Sequence, residues 1–113
     1  MVVETELTDD EVDRIFRALA DATRRDIVRR TLTAQASISE LAGAYAMSFA
    51  AVQKHVAVLE EARLVTKRTH GRERFVTANP DAIARARGLL DQYEQLWRSR
   101  VDRLDSLLTE EPT

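Results

Sequence analysis

Cysteine is absent from the 113 residues. That removes disulfides, thiolate zinc sites and cysteine nucleophiles together, and leaves stability to packing alone. Three glycines provide no phosphate-cradling loop, and nothing matches a nucleophile elbow or a recognisable Ser/His/Asp arrangement, so an enzyme is not expected. Two histidines without cysteine argue against a transition-metal site, and no metal or other cofactor is expected. No apolar run reaches the roughly 20 residues that a bilayer crossing needs, and the acidic start has the wrong charge for a secretory signal. The expectation is a cytoplasmic chain with no membrane partner. With 44% apolar residues, a chain this short makes one domain around one core, spanning 1–113.

Positive charge is in short supply overall, since the formal net charge is −2. Its distribution is uneven. Residues 1–13 carry six acidic side chains and no basic one, whereas 48–76 carries six Lys or Arg against three Glu, net +3. A locally basic middle segment suits a polyanionic partner; it is also compatible with ordinary scatter on a solvated surface.

Thr8 or Asp9 can cap a first helix over 9–20, with Val12, Ile15, Phe16 and Leu19 at helical spacing. Asp21 can cap a second, through Arg24, Arg25, Ile27, Val28 and Leu32, which ends in the polar stretch 33–36. Ser37 with Glu40 is a capping-box pattern opening a third helix of about two turns, carrying Ile38, Leu41 and Tyr45. After a break at 46–48, Ser48 can cap a fourth helix with the stripe Val52, Val56 and Leu59. Two helices joined by about three residues form a helix-turn-helix, here over 37–62. The period then changes from helical to extended. Residues 64–69 are rich in β-branched side chains, His70-Gly71 supplies a turn, and 74–78 returns, so 64–78 predicts a two-stranded wing. Asn79-Pro80 restarts a helix over 80–108, about 42 Å long at 1.5 Å per residue, followed by a tail at 109–113.

The expected fold class is therefore mainly α with a small β-hairpin: five helices and a two-stranded wing. The last helix carries Ala86, Leu90, Tyr93, Trp97, Val101, Leu104 and Leu108 in one stripe, more than so small a body can cover. The surplus, with Phe16 of the first helix, predicts a homodimer through the first and last helices; the alternative is one long helix packing on its own domain.

With Val52, Val56 and Leu59 turned inward at 100° per residue, Ala50, Gln53, Lys54 and Ala57 turn outward and Ser48 stands at the exposed start. Small residues let a helix approach a major groove; Gln53 can pair with adenine and Lys54 can reach guanine or phosphate. Alanines chosen for helix propensity are the plainer explanation. The neighbouring hairpin favours the groove, because Lys67, Arg68, Arg72 and Arg74 flank its turn. They can follow phosphates or enter a narrow minor groove, or simply protect the edge of a sheet. Arg24 and Arg25 can contact a nucleic-acid backbone or pair with Asp21 and Asp26. His55, beside the inward face, fits a packed, hydrogen-bonded residue better than a ligand, and His70 can meet a phosphate or face water.

The stretches RIFRALADATRRDIVRRTL, SISELAGAYAMSFAAVQKHVAVLEEARLV and KRTHGRERFVTANP, in that order, resemble the ArsR/SmtB winged-helix repressors over nearly the whole chain. The likeness is greatest to the cysteine-free branch whose long last helix holds Tyr and Trp. It implies a dimer through the first and last helices and a fourth helix of each copy in successive major grooves of a pseudo-palindromic promoter site. The groove-reading positions would fall on Ser48, Ala50, Ala51, Gln53 and Lys54, and the wing arginines on Arg68 and Arg72. Three departures stand out. The cysteine or His/carboxylate sets of metal-sensing members are missing; Gln53 stands where many relatives have Ser; and Arg63 replaces the Gly common after the fourth helix, so that this end bears a strained left-handed residue or terminates differently. The expected function is a sequence-specific, promoter-occluding repressor of transcription, including its own, on double-stranded DNA. A winged-helix protein-interaction module and a non-specific architectural DNA binder are the alternatives. No effector can be read from the sequence.

Overall fold

A computed structural model describes residues 7–109; most of the acidic start and the tail at 110–113 lie outside the described residues. The elements run α1 (Asp9–Leu19), α2 (Ala22–Thr33), β1 (Ala36–Ser37), α3 (Ile38–Tyr45), α4 (Phe49–Glu61), β2 (Val65–His70), β3 (Glu73–Ala78) and α5 (Pro80–Thr109). Thr8 caps α1 in a capping box with Glu11: the threonine hydroxyl accepts from the Glu11 N–H at 3.1 Å, and Glu11 accepts from the Thr8 N–H at 2.9 Å. Ser37 and Glu40 repeat this at α3, with bonds of 3.0 and 2.8 Å. Asp21 caps α2 through the Arg24 N–H at 3.0 Å.

The wing differs from the two strands expected. β1 pairs antiparallel with β3, giving a three-stranded sheet ordered β1-β3-β2 in which Ala36 lies opposite Val76 and Ser37 opposite Phe75. The polar stretch after α2 thus does more than end a helix. It covers the free edge of β3 and joins the wing to the start of α3. Gly71, at φ +64°, takes the first position of the two-residue loop between β2 and β3, the form that matches the right-handed twist of paired strands.

Ile15, Ala18, Ile27, Ile38, Leu41, Val52, Val56, Leu59, Leu64, Val65 and Val76 form one buried core. From α5 the core takes only Ala82 and Ala86, with Ile83 packed beside them. Further along, α5 leaves the body, and the molecule is 77 Å long but 32 by 24 Å across.

Two left-handed turns hold α4 at both ends. After it, the Arg63 N–H donates to the Glu60 carbonyl at 2.9 Å and the Leu64 N–H to the Leu59 carbonyl at 3.0 Å, with Leu59 and Leu64 both fully buried. This is a Schellman closure, and the residue it requires in the left-handed region is Arg63, at φ 62°. Before it, Ala46 at φ 53° closes α3 in the same way, its N–H reaching Gly43 and that of Met47 reaching Ala42. Arg63 therefore accepts the strain and the helix ends as it would with glycine. Arg63→Gly and Ala46→Gly are each expected to raise stability by about 0.5–1 kcal/mol, the left-handed penalty less the extra freedom of unfolded glycine. Thermal melts should show gains of roughly 2–5 °C each.

Candidate nucleic-acid interface

Val52, Val56 and Leu59 are fully buried, and this fixes the rotation of α4. Ser48, Ala50, Lys54 and Ala57 are exposed on the far side, while Ala51 and Gln53 are half-buried at the flanks. The Ser48 hydroxyl accepts from the Ala51 N–H at 3.1 Å, so its acceptor side is used by the cap and its proton stays free to donate outward. The small-residue face with one amide and one cation is thus presented to solvent as a single strip.

The strand register distributes the wing cations, which the sequence alone treats as one patch. Val65, Lys67 and Thr69 alternate onto one face of the hairpin, opposite Ala78, Val76 and Arg74. Lys67 turns toward α4 and meets Glu60 at 3.6 Å; it is half-buried and committed to the fold. Arg74 shares that face but lies beyond the core, and with Arg72 it lines an open groove of about 240 Å³ against Gln53 and Phe49 of α4 and Ser39 of α3. Arg68 lies on the opposite face with Phe75, which packs near His70 at 6.5 Å between ring centroids. Gln53, Arg72 and Arg74 are brought together; Lys54 and Arg68 stand apart, and Lys67 is drawn inward.

Neither Arg24 nor Arg25 forms a salt bridge with Asp21 or Asp26, the pairing the sequence offers; their guanidinium groups turn to backbone carbonyls. Arg24 donates through Nε to the Ala18 carbonyl at 2.7 Å and through Nη2 to that of Arg17 at 3.1 Å, and Arg25 donates to Leu19 at 2.8 Å. These are carbonyls of the last turn of α1, where acceptors outnumber backbone donors, the Arg17 carbonyl also accepting from the Ala20 N–H at 3.2 Å, and cations suit that end of the helix dipole. Arg24 also approaches His55 Nδ1 at 3.4 Å, with Asp21 at 3.9 Å. Because a guanidinium only donates, Nδ1 is the acceptor and His55 is the packed, hydrogen-bonded residue its position suggests.

Asp26 instead pairs with Arg29 and with Arg30, at 2.7 Å to the latter, and accepts from the Tyr45 hydroxyl at 2.6 Å; the Arg30 guanidinium lies 5.2 Å from the Tyr45 ring centre. The i,i+3 and i,i+4 spacing of the charges was visible in the sequence. The tyrosine that ties α3 to α2 was not. The Tyr45 hydroxyl, then Arg30 and Arg29, hold the Asp26 carboxyl well below the usual range, while burial and Asp26 push Tyr45 up to about 12.

Among the described residues no group of three or more acidic or histidine side chains could hold a metal, and no helix is long and apolar enough to cross a membrane. No family model matches the sequence. The chain is 41% identical over 81 residues to an HTH-type transcriptional regulator of Mycobacterium tuberculosis, covering 72% of this chain and 76% of that one. A crystal structure of an ArsR family transcriptional regulator matches with a TM-score of 0.78 at 29% identity, over 83% of this chain and 97% of the other. The homodimeric winged helix-turn-helix DNA-binding domain of a possible ArsR-family regulator from Mycobacterium bovis, solved by NMR, shares the fold at 22% identity and a TM-score of 0.62, over 80% and 91%.

The Asp26 cluster gives a signed pH dependence. A depressed carboxylate stabilises the fold above its unfolded pKa of about 4 and loses that contribution as pH falls toward the folded value. A raised tyrosine contributes below about pH 10 and loses its contribution as pH rises through about 12. Tyr45→Phe should flatten the alkaline limb and, in part, the acid limb, and Asp26→Asn should flatten the acid limb further. Urea midpoints measured from pH 2.5 to 11 check both.

Proposed function

The chain belongs to the ArsR family of winged helix-turn-helix transcriptional regulators, and we propose that it represses transcription by occupying a pseudo-palindromic promoter site as a homodimer. The observation that carries this reading is the locked rotation of α4, which turns Ser48, Ala50, Gln53 and Lys54 away from the core beside a groove walled by Arg72 and Arg74. A helix so presented enters a major groove, its alanines allowing close approach. Gln53 then pairs with adenine and Lys54 meets guanine or phosphate, while Ser48 donates to the backbone. Arg72 and Arg74 follow the phosphates on the inner side of the wing and Arg68 on the outer, so the hairpin straddles a strand. Ala51 supports the close approach, and Lys67 acts by holding the wing to α4.

The dimer is favoured by what α5 leaves uncovered. Leu90, Tyr93, Trp97, Val101, Leu104 and Leu108 are all exposed, Trp97 by 62% and Leu108 by 83%, and so is Phe16 of α1. A second copy covers such a stripe and sets the two α4 helices one helical turn of DNA apart, about 34 Å. The M. bovis domain is homodimeric with the same fold.

Binding of the protein to its own upstream DNA, measured by anisotropy and footprinting, tests the reading. Lys54→Ala should weaken binding about 3–10-fold and lower the salt slope by about 1, whereas Gln53→Ala should lose about 1–3 kcal/mol of discrimination at one base position with the slope unchanged. Equal affinity for upstream and random DNA would overturn sequence-specific repression. Separately, Trp97→Glu is expected to give a monomer by light scattering and to weaken operator binding about 100-fold or more, since the second half-site is no longer tethered. A wild-type monomer at tens of micromolar would sink the dimer.

A further inference from the structure

Phe49 is 47% exposed at the first position of α4. The other large exposed apolar side chains among the described residues lie on α1 and α5, where the dimer accounts for them, apart from Leu32 on α2. Phe49 is on neither helix. It sits about 50° round α4 from the centre of the buried stripe, on the same flank as Gln53 one turn later, and both line the groove with Arg72 and Arg74. Ala50, the next residue and part of the exposed strip, is small, so it does not lift the start of α4 away from a surface that this end of the helix approaches.

The N-terminal residues of a recognition helix contact base edges. The floor of a major groove is almost wholly polar, and the thymine methyl is the apolar group that projects from it. Arg72 and Arg74, outnumbering Glu73 in the groove wall, supply the positive charge that a phosphate-lined partner needs. On the reading that α4 enters a major groove, we propose that Phe49 is a specificity-determining residue that recognises a thymine by its 5-methyl group in each half-site. Four residues of helix span about 6 Å, so this thymine lies within two base steps of the pair read by Gln53.

Deoxyuridine tests this directly, because it keeps every hydrogen-bonding group of thymidine and lacks only the methyl. Duplexes selected from a random pool by the wild-type protein are resynthesised with each thymine replaced in turn by uracil, and binding is followed by anisotropy for wild type, Phe49→Ala and Phe49→Leu. One thymine per half-site should emerge whose replacement weakens wild-type binding about 4-fold, the worth of one buried methyl. Phe49→Ala should be indifferent to that methyl and relax selection at that position, while Phe49→Leu should retain part of the effect, showing that an apolar contact and not the ring alone is read. The proposal is overturned if wild type and Phe49→Ala respond alike to uracil at every thymine, or if no thymine recurs within two steps of the Gln53-dependent pair. Gln53 dependence without any methyl effect removes Phe49 alone; a selection that yields no common sequence removes the sequence-specific reading with it.

Discussion

Val52, Val56 and Leu59 recur every three or four residues and are fully buried, so α4 can adopt only one rotation about its axis without drawing a valine or leucine into water. Each such side chain contributes about 1.5–3 kcal/mol by burial, so a slipped rotation that exposes all three would cost several kcal/mol. The closures at Ala46 and Arg63 fix the helix at its ends as the stripe fixes it along its length. The exposed strip therefore rests on a backbone that is already ordered. Its Gln53 and Lys54 are presented from a regular element, where a side chain has less freedom than on a loop.

The elements with a repeating signal were legible in the sequence. The capping box at Ser37 with Glu40 stands where its spacing places it, Thr8 rather than Asp9 caps the first helix, and the five helices follow from runs of three- and four-residue periodicity long enough to recognise. β1 was not legible, because two residues have no period and Ala36 and Ser37 become a strand only by lying beside Val76 and Phe75. The same limit explains the cations. Composition gathers Lys67, Arg68, Arg72 and Arg74 into one patch, but strand alternation and the choice of Glu60 as a partner sort them into different places. Arg24 and Arg25 have carboxylates close in sequence, yet bond carbonyls of the preceding helix. Phe49 gives no distinguishing signal in the sequence, because an aromatic at the start of a helix suits core and surface alike until its neighbours are known.

The division of α5 gives the molecule two unlike halves. Ala82 and Ala86 are small enough for the helix to lie close on the body, and Arg85 reaches across to Glu11 of α1 at 3.8 Å. Beyond them Leu90, Trp97 and Leu104 recur at seven-residue intervals, a spacing that favours helix against helix. The near half secures the helix to its own domain, and the far half is free to engage outside it.

Asn79 joins these halves to the rest. Its Nδ2 donates to the Arg63 carbonyl at 2.9 Å, its backbone N–H to that of Leu64 at 2.8 Å, and its Oδ1 accepts from the Asp81 N–H at 3.2 Å. One short residue thus rivets the root of the longest helix to the far end of the helix held by the buried stripe. With Ala82 and Ala86 packed just beyond it, this asparagine works as a bracket that sets the angle at which the long helix leaves the body relative to the end of α4.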